Sequence, residues 1–375
     1  MELEFTGEQE ELRASVRSFL EKECPIGVVR AVVETGEAPE KLWGAMIALD
    51  WPALAVPEEY GGIGLTILET AVVVEELGRA VAPGPLLATV TQFAPMVRQV
   101  GSPAQQQHFL SAIATGEVAG TVALADHPRA WSLDDVTMTA EPVDGGWILT
   151  GRKLAVLAAE GTTHLVVIAR AGAGMGAFVV PIADAGVTPV NSLDASRPLV
   201  EAMLQRVFVP HDHALGEPGS EASTSGISRA LEEATLGLAL ESVGTCDALF
   251  QLLLAYLKER RQFGVAIGSF QALKHKMSNM VLALERARSL CYFAVAAINE
   301  DTPTRATSVS MAKAASDDCQ ILVCRDAIQS FGGIGFTWEH DAHLYVKRAS
   351  TDGALFGGAA VHSVAVAASL GVTSA

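Results

Sequence analysis

Cations are what this chain is short of. It sets 26 Lys and Arg against 43 Asp and Glu, a formal net charge of −17 over 375 residues. So acidic a chain repels phosphate backbones and anionic bilayers, which argues against nucleic acid or a membrane surface as a partner. Any phosphate it holds must be held by local groups. Cysteine is also sparse. Cys24, Cys246, Cys291, Cys319 and Cys324 are odd in number, scattered and without metal-ligand spacing. That pattern offers neither a disulfide framework nor a metal site, and reads as buried thiols in a reducing cytoplasm. A basic leader with a small-residue cleavage site is absent, so a cytoplasmic location is expected. Mean hydropathy is +0.31, yet it comes from Ala- and Leu-rich helical runs. No uninterrupted apolar stretch reads as long enough to cross a bilayer.

What is present falls into three parts. Thr6 and Gln9 form a capping-box pair, followed by Leu12, Val16, Phe19 and Leu20 at helical spacing. Further helical patterns near 39–50, 66–80, 84–100 and 103–115 predict an all-helical domain over 1–118. The glycine run Tyr60-Gly61-Gly62-Ile63-Gly64 reads as an ordinary turn rather than a phosphate loop. From Thr121 onward short β-rich runs appear (121–124, 147–150, 164–168, 177–180, 204–209), and they predict a β-barrel or sandwich over 119–215. Residues 211–225 look like a linker, and His211 and His213 have the wrong neighbours for a metal site. Helical runs near 226–260, 271–299, 305–329 and 358–370 predict a four-helix bundle within 222–375. The fold class is therefore α+β.

Two stretches in the last part carry chemistry. Residues 259–271 read Glu-Arg-Arg-Gln-Phe-Gly-Val-Ala-Ile-Gly-Ser-Phe-Gln at a corner between two helical runs. Arg260 or Arg261 can offer a planar fork of donors to a phosphate, Phe263 can cover a flat ring, and Gln271 can hydrogen-bond a sugar or phosphate oxygen. The plainer reading is a solvated corner with a buried Phe. Residues 329–336 read Gln-Ser-Phe-Gly-Gly-Ile-Gly-Phe after another helical run. Glycines there let backbone N–H groups approach an anion, although Gly also ends helices.

In this order and separation, the two stretches resemble the C-terminal domain of the acyl-CoA dehydrogenase flavoproteins. The resemblance continues through Thr337-Trp338-Glu339-His340-Asp341, His343-Leu344-Tyr345 and Lys347-Arg348. It also takes in Val56-Pro57-Glu58-Glu59-Tyr60-Gly61-Gly62 and Glu75-Glu76-Leu77-Gly78-Arg79, and so covers nearly the whole chain. It implies a helical domain, a β domain and a four-helix bundle, with FAD as cofactor. It also implies α,β-dehydrogenation of an acyl-CoA thioester, and an electron-transfer flavoprotein as acceptor. Arg260, Phe263, Gln271, Gln329, Gly332 and Gly333 then become cofactor-binding residues that reach the ADP part of a neighbouring subunit's flavin.

The resemblance also marks what is missing. The family's base is commonly the Glu of Tyr-Glu-Gly-Thr; Gly357 takes its place here, with Ala359 in the place of Thr. In relatives that carry the base on the first bundle helix, the equivalent place is Ala234. Glu232, Glu233, Asp352 and His362 lie nearby as candidates for a relocated base. In the β domain Ala125-Asp126-His127 replaces Thr-Glu-Pro, and Ala130-Trp131-Ser132 replaces Gly-Ser-Asp. After Gly151-Arg152-Lys153, Ala155 and Leu157 stand where a Trp and a hydroxyl residue flank the flavin ring. Losing the base and ring contacts while keeping the ADP contacts implies one half of a heteromeric enzyme. Such a heterotetramer resembles those of actinobacterial steroid side-chain degradation. Two alternatives stay open: a self-sufficient dehydrogenase with a relocated base, and a non-redox relative that binds a partner or CoA ligand.

Overall fold

The computed structural model describes residues 6–372. Helices α1 (Gly7–Glu23), α2 (Ile26–Thr35), α3 (Glu40–Ile47), α4 (Ile67–Arg79), α5 (Leu86–Ala88), α6 (Ala94–Val100) and α7 (Pro103–Ala114) come first. Thr6 caps α1 in a full capping box with Gln9, at 3.3 Å and 3.1 Å. A π-helical turn, Thr89–Phe93, separates α5 from α6. Strands β1 (Gly120–Ala123), β2 (Thr139–Val143), β3 (Gly146–Leu157), β4 (His164–Ala171), β5 (Gly174–Pro181), β6 (Val187–Val190), β7 (Leu199–Pro210) and β8 (Ala214–Leu215) come next. They form one eight-stranded sheet in the order β6-β7-β3-β2-β4-β5-β8, with β1 parallel to β4. Leu149, Leu165, Val167, Phe178 and Leu204 fill its core.

The remaining elements are α8 (Glu221–Glu259), a two-strand ribbon of β9 (Arg261–Gln262) and β10 (Val265–Ala266), α9 (Gln271–Asn299), α10 (Arg305–Phe331), α11 (Ala342–Ala354) and α12 (Ala359–Ser369). The expected linker 211–225 is shorter than its composition suggests: β8 and the first turn of α8 occupy part of it. The expectation of no apolar run of spanning length also needs correcting. α8 contains an 18-residue window of mean hydropathy 1.4, long enough by length and composition, and most of it is buried in the protein. It is a core helix.

Two compact units result. Among the described residues, one holds 31–70 and 83–235, and the other 6–30, 71–82 and 236–372. In the latter, α4 and α8 cross so closely that a Cβ on Gly78 would sit 2.0 Å from the Glu241 carbonyl oxygen, and one on Gly244 1.9 Å from that of Glu75. This crossing explains the Glu75–Arg79 motif. Glu75 takes Arg13, Arg288 and Tyr292, Glu76 takes Arg17, and Arg79 pairs with Asp247. The motif is an ion-paired seam between helices. Helices α9 and α10 run antiparallel, with Lys276–Asp326 at 3.0 Å and Arg286–Asp318 at 3.7 Å between them.

Candidate functional site

The corner forms because α8 cannot continue. Arg260 N–H still reaches the Tyr256 carbonyl at 2.8 Å, and then β9 and β10 pair around Phe263 and Gly264. Both turn residues are left-handed, with φ of 53° and 83°. That is the two-residue hairpin turn whose twist matches its strands. Gly takes this conformation freely, whereas a Phe is strained there. The hairpin turns Phe263 outward, 90% exposed, with its ring edge-on to Phe270 at 6.1 Å. The buried Phe of the plainer reading is not found. Arg260, Arg261 and Gln271 are exposed as well, and neither arginine makes an ion pair among the described residues. Gln271 is the first residue of α9.

The glycine run comes after α10. Gly332 turns the chain with φ 69°, and a Cβ on either Gly332 or Gly333 would meet nothing within 4 Å. Their backbone is open on one side, as close approach to a ligand requires. Gln329 is exposed on the last turn of α10. Sequence reasoning missed the residue that joins corner to loop. Tyr256 donates its O–H to the Phe331 carbonyl at 3.4 Å, and the two rings lie 5.2 Å apart. Its only signal in the sequence is a place one helical turn before Arg260. With Lys276–Asp326 nearby, this contact brings all six expected cofactor residues to one end of the bundle.

The loop to which the resemblance assigns the base is built from left-handed turns. Phe356 and Gly357 both have positive φ, 55° and 93°, and Gly358 is the N-cap of α12. A Cβ on Gly357 would lie 3.2 Å from Val361 and 3.3 Å from His362 Nε2. Among the candidate replacements, Glu233 and His362 are held by other groups and Asp352 is buried. Glu233 is buried and accepts from Arg98 at 2.5 Å and Gln99 at 3.4 Å. Asp352 is 1% exposed, and Ala234 is fully buried. His362 meets the Phe356 carbonyl at 3.0 Å and Ser310 Oγ at 3.4 Å, and burial pushes its pKa down to about 4.

In the β domain, Asp126 is a structural ion. Its carboxylate meets Lys153 Nζ at 2.6 Å and accepts from the backbone N–H groups of Thr137 and Met138 at 2.5 Å and 2.8 Å. Burial would raise its pKa, but Lys153 and these donors hold it below the usual carboxylate range. Lys153 also donates to the Leu124 carbonyl at 2.8 Å, and burial lowers it to about 8 against the pull of Asp126. Beside the pair, Leu154 N–H reaches the Ala125 carbonyl at 2.7 Å, and Ala155 bulges from β3 with φ 51°. Ala125 and Leu157 are buried and apolar.

Comparison with known proteins decides the family. The acyl-CoA dehydrogenase N-terminal domain matches residues 6–117, and the acyl-CoA dehydrogenase C-terminal domain matches 225–371. The chain belongs to the acyl-CoA dehydrogenase family. Acyl-CoA dehydrogenase IpdE2 of Mycolicibacterium smegmatis is 30% identical over 353 residues, covering 93% of this chain and 94% of that protein. The glutaryl-coenzyme A dehydrogenase complex with glutaryl-CoA superposes with a TM-score of 0.91 at 25% identity, covering 99% and 97%. A variant of the Tcur3481–Tcur3483 steroid ACAD superposes with a TM-score of 0.86 at 28% identity, covering 97% and 98%. The family is one of oxidoreductases acting on acyl-CoA, with FAD as cofactor.

The residues fit FAD at one end only. The open glycine backbone and the unpaired arginines of the corner suit a pyrophosphate. Ala155 and Leu157, where the flavin ring would need a flat neighbour and a hydroxyl, have neither.

Proposed function

We propose that the chain is the base-lacking subunit of a heteromeric acyl-CoA dehydrogenase. In this reading Arg260, Phe263, Gln271, Gln329, Gly332 and Gly333 hold the ADP part of an FAD. A second acyl-CoA dehydrogenase subunit supplies the base and the ring contacts. Bound FAD would accept the hydride from the β-carbon of an acyl-CoA and pass electrons to an electron-transfer flavoprotein. The observation that carries the reading is the corner itself: exposed, joined to the glycine loop, and without an ionic partner among the described residues. A self-contained fold gains nothing from holding Phe263 strained in water.

The base loop adds support in either register of Tyr-Glu-Gly-Thr. Counted along the sequence, the Glu place is Gly357. If the motif's Gly takes the left-handed position Gly357 and its Thr the N-cap Gly358, the Glu place is Phe356. Neither residue can accept a proton from carbon. The similar steroid ACAD carries the names of two proteins, Tcur3481 and Tcur3483; a heterotetramer acting on a steroid side chain is the corresponding reading here.

The test is to express the chain alone and with the subunit that co-purifies from its own host. The chain alone should be colourless and the complex yellow and active. Arg260→Ala in the complex should weaken FAD by about ten-fold or more, since a charge-assisted pair is lost. Stoichiometric flavin and turnover by the chain alone would defeat the proposal.

A further inference from the structure

The glycine loop is anchored from a helix that the flavin reading does not use. Arg30, on α2, spends its guanidinium on residues just beyond that loop. Its Nε–H donates to Asp341 Oδ1 at 2.7 Å, and its Nη2 donates to the carbonyls of Trp338 at 3.1 Å and Glu339 at 3.0 Å. Residues 337–341 lie between the 3₁₀ turn Gly332–Phe336 and α11 and have no ladder or helix of their own. One planar fork supplies three acceptors within four residues, which an ammonium cannot do with the same geometry. At 21% exposure the Arg30 side chain is screened from water enough for its charge to matter.

The anchored segment leads back to the corner through packed groups. The His340 ring lies 4.5 Å from that of Phe331, the last residue of α10. The Phe331 ring lies tilted against that of Tyr256, its carbonyl accepts the Tyr256 hydrogen bond, and the Tyr256 carbonyl holds the Arg260 N–H. Trp338, half exposed, is stacked by His343 at 4.5 Å and covered by Lys347 at 4.4 Å. Gly332 and Gly333 have no side-chain packing of their own, so the chain on either side of them sets their position.

We infer that Arg30 is a positioning residue for the ADP half of the flavin site: it fixes the 337–341 segment and thereby the Gly332–Gly333 backbone. The inference rests on the proposed role of the corner. Without Arg30 the glycine loop samples more conformations, and an ADP group bears the ordering cost on binding. Because these three bonds all go to the loop segment, removing them weakens ADP recognition and leaves contacts to a flavin ring in place.

The experiment titrates flavin-stripped complex with FAD and with FMN, which lacks the adenylate, and follows flavin fluorescence. Arg30→Ala should lower FAD affinity by roughly ten-fold, the scale of one lost charge-assisted hydrogen bond. FMN affinity should stay constant, so the preference for FAD shrinks. Arg30→Lys should recover part of it, and Asp341→Asn, which keeps the side-chain volume, should lose part. Arg260→Ala separates the two readings. If Arg260→Ala loses the FAD preference and Arg30→Ala keeps it, the inference is wrong and the corner's role stands. If neither variant changes it, both fall. Equal loss of FAD and FMN together with a lowered melting temperature would make Arg30 a structural residue only, and would also overturn the inference.

Discussion

Tyr256 and Phe331 are 75 residues apart in sequence and in ring contact in the fold, with the Tyr256 hydroxyl on the Phe331 carbonyl. The contact ties together the two motifs that the proposal joins in one site. Arg260 lies one helical turn after Tyr256, and Gly332 directly after Phe331. Tyr256→Phe keeps the ring contact and loses a long hydrogen bond, so the cost should be at most about 1 kcal/mol. Tyr256→Ala loses both, and should lower FAD retention in the complex as well as the urea midpoint. Full FAD retention by Tyr256→Ala would show that corner and loop act independently.

Gly357→Glu should not create a dehydrogenase. The residue has φ 93°, and its new Cβ would crowd Val361 and His362. A strained backbone of this kind costs about 1–3 kcal/mol. The ring place at Ala155 and Leu157 would remain empty of partners. Phe356→Glu should fail for the same reason, though with less strain. Acyl-CoA oxidation by either variant of the chain alone would show a complete ring site.

Arg348 is fully buried and donates to Glu241 at 3.0 Å and to the Val81 and Ala82 carbonyls. Arg348→Met should cost about 3–5 kcal/mol, because it strands a buried carboxylate. Denaturant unfolding measures this directly. A loss below about 1 kcal/mol would mean that Glu241 finds water.

His362 predicts an acid-sensitive step. Its pKa falls from the ordinary 6.5 to about 4 on folding, chiefly by burial. The unfolded chain therefore binds the proton first, and stability should fall as pH drops from about 6.5 to about 4, by up to roughly 3 kcal/mol. Asp317 on α10 shifts the other way, up to about 6 by burial against the pull of Lys313, and so adds stability as pH falls from about 6 toward 4. The two oppose each other in the wild type. The difference between wild type and His362→Phe, read as urea midpoint against pH, isolates the histidine. A difference that does not vary with pH would refute its neutral, buried state.

Local sequence was enough for most elements. Where periodicity is strong the element is legible: α9 runs Gln271–Asn299 as its pattern predicts, and the Thr6 capping box forms as its spacing predicts. Gly357, Ala155 and Leu157 are likewise read directly from the sequence, and the proposal gives them their meaning. Short elements escaped. β2, β6 and β8 owe their pairing to partners rather than to their own pattern, and α11 mixes polar and apolar residues on its buried side. That Phe263 faces water emerged from the folded chain, because a hairpin turn fixed both its φ and its direction. So did the pairing of Glu233 with Arg98, the role of Asp126 as internal counter-ion of Lys153, and the hold of Arg30 on a loop 309 residues away. Those are relations between distant side chains. A linear pattern carries periodicity and local preference, whereas the partner of a charge is chosen by packing.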